Sequence, residues 1–156
     1  MTPVFQTIIN SCTGDCLRAA MASILDMRIE DVPNFAEEEG HKSTEASELT
    51  PCQRWLESIG LQELEFFLHD VSRNTYDHFC SIACMLANSG PVYALASLPS
   101  QSFSDCSHAV VIKINGYKKE PWVEVAHDPN PFSSPYNLRE VQFRSVSFIV
   151  KHLPEK

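Results

Sequence analysis

The chain of 156 residues has no excess of positive charge: 12 lysines and arginines stand against 20 aspartates and glutamates, for a formal net charge of −8 and a pI of about 5.1. A surface of that sign does not gather phosphates, so nucleic acid and anionic membranes are not expected partners. Long hydrophobic runs are missing too. No stretch approaches the roughly 18 apolar residues that span a bilayer, and the start MTPVFQTIIN lacks the basic segment and apolar core of a secretory signal. A cytoplasmic protein with no membrane association is the expectation. Internal repeats, low-complexity tracts and linkers are also absent, which predicts one domain over residues 1–156. There is no CxxC pair. Cys12/Cys16 and Cys80/Cys84 are CxxxC, and a zinc site would need two or more further ligands, of which His78 beside Cys80 is the one close candidate. No metal and no cofactor are expected, and the cysteines read as free thiols.

What the chain does have is the composition of an ordinary globular protein, with 44% hydrophobic and 21% charged residues. Leu17, Ala20, Met21, Ile24 and Leu25 recur at helical spacing and predict a helix over 15–26, which either Thr13 or Asp15 can cap. RIEDV at 28–32 predicts a short turn stopped by Pro33. The acidic stretch 36–48 reads as a surface loop suited to a lid. Thr50, Pro51 and Gln53 have the spacing of a capping box, predicting a helix over 51–59 that Gly60 terminates. Phe79, Ile82, Ala83 and Leu86 predict another helix over 76–87. Strands are predicted at 61–68, 91–98, 107–114, 121–127 and within 141–153, two of them joined by an Asn-Gly turn. Helices first and antiparallel strands last give an α+β class.

One residue stands out chemically. Cys16, in SCTGDCLRAAMASIL, precedes a run of helix formers, so its thiol lies where unpaired backbone N–H groups and the helix dipole favour a thiolate. A thiol nucleophile needs a base, and the base needs a partner that orients it. Among six histidines, His108 opens the apolar strand run SHAVVIKI, where a titratable ring needs a partner. The next strand ends in HDPNP, offering Asp128. With Val110 opposite Val125 and Ile112 opposite Val123, His108 would face His127, and Asp128 would reach it only through a bulge or the strand end. The backbone N–H of Cys16 and an upstream amide, from Gln6 or Asn10, could hold an oxyanion.

The order PVFQT, GDCLRAAMASIL, IEDVPNF, SHAVVI and VAHDPNP resembles the papain-like cysteine peptidase superfamily, in particular small bacterial and phage-encoded proteins related to the bacteriocin-processing C39 peptidases. The resemblance implies a papain-like fold, in which N-terminal helices include a central cysteine-bearing helix packed on a C-terminal antiparallel sheet. It also implies a triad of Cys16, His108 and Asp128 with Gln6 at the oxyanion, acting on a protein or peptide substrate. The same machinery runs deamidation and acyl transfer, and a catalytically silent binding module is a further alternative. A redox pair of Cys12 and Cys16 is a third.

Overall fold

A computed structural model of the chain describes residues 1–10, 13–38, 49–67, 90–115 and 122–151. The predicted helix at 76–87, most of the predicted lid, Cys12, Cys80, Cys84 and His78 lie outside the described residues. Helix α1 runs over Cys16–Leu25, so Cys16 is its first helical residue and Asp15 stands at the N-cap. Ten residues make a marginal helix in water, and neither predicted cap serves it. Asp15 makes no side-chain capping bond, and the Thr13 hydroxyl accepts from the Asn10 amide instead. Packing holds α1 in place: Ala19, Ala20, Met21 and Ala22 are fully buried. The helix ends at Asp26, whose left-handed backbone brings its carboxylate 3.1 Å from the N-terminal ammonium.

A single 3-10 turn, Ile29–Asp31, fills the place predicted for RIEDV. Helix α2, Phe35–Glu38, occupies the beginning of the stretch expected to be loop, because Phe35 is buried and ring-packed on Trp55. Helix α3, Pro51–Ser58, starts with the predicted capping box: the Gln53 N–H donates to the Thr50 hydroxyl, and the Thr50 N–H donates to the Gln53 side chain.

Five strands form one antiparallel sheet: β1 Leu61–Phe67, β2 Val92–Pro99, β3 Ser107–Asn115, β4 Trp122–His127 and β5 Ser145–Lys151, in the spatial order β1-β5-β2-β3-β4. The last strand therefore inserts between the first two. Alternation divides the sheet into two apolar faces. Leu95 and Val111 meet Ala20, Met21, Leu56 and Phe35 on the helix side. On the other side, Val110, Ile112, Ile114, Ala96 and Val146 pack under Leu138 and Phe143, from the segment leading into β5. Residues 141–144, expected within the last strand, belong to that covering segment, and Phe143 is fully buried in it. No helix among the described residues is long and apolar enough to cross a membrane.

Candidate active site

The N-terminal segment is strapped between α1 and the end of β4, and the strap sets the site. Asp15, only 1% exposed, accepts hydrogen bonds from the Thr7 N–H at 3.0 Å, the Ile8 N–H at 2.8 Å and the Thr7 hydroxyl at 2.7 Å. The Asp15 N–H returns one to the Ile8 carbonyl at 3.2 Å. Val4 donates to the Ser23 hydroxyl, Gln6 donates its backbone N–H to the Pro129 carbonyl at 3.0 Å, and His127 donates from Nε2 to the Val4 carbonyl at 2.7 Å. Gly14 is required by space: a Cβ there would lie 2.6 Å from the Asn10 carbonyl oxygen.

The strap brings Gln6 and Asn10 to the wall of a cavity of about 100 Å³ that Cys16, His108 and Tyr136 also line. Burial would push the Cys16 thiol up. It is outweighed by a hydrogen bond with His108, the backbone N–H of Ala109, the positive charge of His108 and the backbone N–H of Leu17, so the thiol lies below its ordinary value. At His108 the balance is similar. Burial would lower the imidazole, but the hydrogen bonds to Asp128 and Cys16, with the negative charge on both, raise it to about 9. Nε2 of His108 lies 2.7 Å from Asp128 Oδ1, leaving Nδ1 for the sulfur. A thiol held down and an imidazole held up by each other's charge favour a thiolate facing an imidazolium.

The expected pairing of β3 with β4 is corrected. Ile112 lies opposite Val125 and Ile114 opposite Val123, with a bulge between the Val111/His127 and Ile112/Val125 pairs. The register expected from sequence would have set Pro121 opposite Ile114, and proline has no N–H for the ladder. Ala126 is the extra residue. It puts His127 on the helix side with Val111 and turns Asp128 to the face of His108 and Val110. His108 and His127 therefore lie on opposite faces instead of facing each other. The Phe5 ring meets His127 edge-on, with centroids 5.1 Å apart.

The sequence reading missed three further contributors. Asn130 gives its N–H to Asp128 Oδ1 at 2.8 Å and accepts from the Phe132 N–H at 3.0 Å, two successive Asx turns that fix the carboxylate. The alternation of Asp and Asn with proline in HDPNP was their signal. Tyr136 stacks on the His108 ring with an interplanar angle of 19° and donates its hydroxyl to the Pro99 carbonyl at 3.1 Å. Burial, together with the charges of Asp128 and Cys16, pushes its phenol up to about 12. Asp15, an N-cap candidate by sequence, is the anchor of the strap. Of the two amides weighed for the oxyanion, Asn10 braces its own turn, donating to the Thr13 hydroxyl and accepting from the Thr13 N–H. Gln6 donates to the Ile8 carbonyl at 3.2 Å, and its Oε1 is buried without a hydrogen-bond partner. Among the described residues, no three His, Cys, Asp or Glu side chains converge as a metal site. Compared by sequence, the chain matches no protein-family model and no curated protein.

Proposed function

We propose that the protein is a thiol-dependent amide hydrolase of papain-like type, a cysteine peptidase or isopeptidase that acts in the cytoplasm on a protein or peptide. The observation that carries this reading is the relay from Cys16 through His108 to Asp128, in which a half-buried thiol is held below its ordinary pKa. The thiolate adds to an amide carbonyl, and the oxyanion forms against the Cys16 N–H at the helix start, with Gln6 as the second donor. The His108 imidazolium gives its proton to the leaving amine. Neutral His108 then takes a proton from water as the water attacks the thioester, and the released acid regenerates the pair. Asp128 orients the ring and stabilises its cation. The cysteine-led helix against a sheet that supplies histidine and aspartate supports the papain-like comparison, and the reducing cytoplasm suits a catalytic thiol.

The test is alkylation with iodoacetamide at pH 6, read by peptide mass spectrometry. Selective labelling of Cys16 among the six cysteines, paired with a peptide-hydrolysing activity that Cys16→Ser abolishes, is the expected result. Slow, uniform labelling of all cysteines removes the proposal.

A further inference from the structure

Among the described residues, two further cysteines lie beside the Cys16 thiol, and they differ in placement. Cys52, in the first turn of α3, lines a cavity on the helix side of Cys16, but it is only 6% exposed and packs into the helix-side core. Cys106 is half-buried and lines the same cavity of about 100 Å³ as Cys16 and His108. The Ser100 N–H donates to the Cys106 carbonyl at 3.0 Å, next to the Pro99/Ser107 pair, so the β2–β3 ladder runs on to Cys106. Two residues before His108, Cys106 therefore falls on the same side of the strand.

The loop that delivers Cys106 is pinned at its start. Gln101 donates its Nε2 to the Ser134 carbonyl and accepts from the Ser134 N–H, both at 2.9 Å. At its end Asp105 holds a left-handed backbone, with φ of 61°, a conformation strained for a residue with a Cβ. The place where the loop yields most readily is thus the residue before Cys106.

We infer that Cys106 is the resolving thiol of a peroxide-sensitive switch at the site: a hydroperoxide oxidises Cys16, and a Cys16–Cys106 disulfide then closes off the nucleophile reversibly. The inference rests on the thiolate–imidazolium pair of the hydrolase reading and on no step of amide cleavage. The Cys16 thiolate attacks one oxygen of the hydroperoxide, the O–O bond breaks, and the departing oxygen takes the His108 proton to leave as alcohol or water. Cys16 is then a sulfenic acid, oxidised by two electrons. The Cys106 sulfur attacks it, and hydroxide departs with the Cys106 proton as water. A dithiol returns both residues to thiols by exchange. The disulfide needs Cα atoms within about 7 Å of each other, so the Cys106 end of the loop closes toward the start of α1 as Asp105 leaves its left-handed state. In a reducing compartment such a bond is transient, as those of redox sensors are.

The experiment treats the intact chain with hydrogen peroxide at pH 7, blocks remaining thiols with iodoacetamide and reads the peptides by mass spectrometry. Cleavage before Asp15 and Asp105 separates Cys16 from Cys12, and Cys106 from Cys80 and Cys84. The expected result is a linked Cys16–Cys106 pair, a fall of about tenfold in the fraction of Cys16 open to iodoacetamide, and its return with dithiothreitol. In Cys106→Ser and in Cys106→Ala, each checked for folding by circular dichroism, excess peroxide should instead drive Cys16 to the sulfinic acid, which dithiothreitol does not reverse. A link from Cys16 to Cys12 or Cys52, sulfinic acid formed directly in the wild type, or full recovery by dithiothreitol in both variants each overturn the switch while selective labelling of untreated Cys16 upholds the hydrolase reading. Absence of that selective labelling overturns the hydrolase reading and the switch with it.

Discussion

His108 Nε2 and Asp128 Oδ1 lie 2.7 Å apart because Ala126 is bulged out of the β3–β4 ladder. Strict alternation along β4 would have presented His127 to His108 and sent Asp128 to the helix side. The bulge gives the two histidines separate partners: His108 bonds Cys16 and Asp128, and His127 bonds the Val4 carbonyl of the strap that carries Gln6.

That division predicts how the histidine variants differ. In His108→Ala the burial that raises the Cys16 thiol stays, while the neighbouring cation and its hydrogen bond go. Alkylation of Cys16 at pH 7 should drop by roughly tenfold, because the His108 contacts that hold the thiol below its ordinary value go while the burial that raises it remains. His127→Ala should change alkylation by less than about threefold, since the ion pair is untouched, and should lower amide turnover by loosening the strap. Iodoacetamide rates on both variants check this, and equal losses would mean that the base is wrongly assigned.

The pH dependence should differ between two reactions of the same sulfur. Alkylation needs the thiolate alone, so its rate should rise with a midpoint below the ordinary thiol value and then stay flat. Amide cleavage also needs a protonated His108 to release the amine, so turnover should fall again as pH rises through about 9. Profiles of both reactions on one preparation make the comparison. An alkaline limb shared by the two would point to unfolding.

Asp15 predicts a stability effect. Asp15→Ala strips the Thr7 and Ile8 N–H groups and the Thr7 hydroxyl of their acceptor, at a cost of about 2–3 kcal/mol. Asp15→Asn keeps an acceptor oxygen and should lose less. Urea denaturation measures both, and because the strap positions Gln6, turnover in Asp15→Asn should fall more than alkylation does.

The contrast between Asp15 and the Thr50 cap shows what was legible in the sequence. Thr50, Pro51 and Gln53 act within one turn, and the motif gave the start of α3 to the residue. The alternation in 107–114 and the apolar spacing in 15–26 likewise placed β3 and α1 within a residue or two. Asp15 sits at an N-cap by sequence, yet its carboxylate is drawn to backbone N–H groups seven and eight residues upstream, a choice set by tertiary structure. The face that Asp128 presents was illegible for a similar reason. A bulge leaves little local mark, and one extra residue inverts every side chain after it. Tyr136 carries no signal either, since its place over His108 follows from the path of residues 129–143 across the sheet.

The last prediction concerns the carboxylate itself. Asp128→Asn should retain more turnover than Cys16→Ala or His108→Ala. In a thiolate–imidazolium pair the two charges already stabilise each other, and the third residue mainly orients the ring, which an amide oxygen can do through the same contact with Nε2. Asn130 would still donate its N–H to that oxygen, and Tyr136 would still stack on the ring, so the orientation has support beyond the charge. Losing the carboxylate removes one cause of the raised imidazole, and the alkaline limb of turnover should therefore move below 9. A serine-type triad would respond differently, because there the carboxylate selects the working tautomer and steadies a cation formed only during reaction, and amidation costs on the order of 10⁴ in rate. Turnover against pH for Asp128→Asn and Asp128→Ala, on protein whose circular dichroism matches the wild type, separates the cases. A folded Asp128→Asn as inactive as the cysteine variant would defeat the ion-pair mechanism, and a fully active Asp128→Ala would reduce HDPNP to a turn.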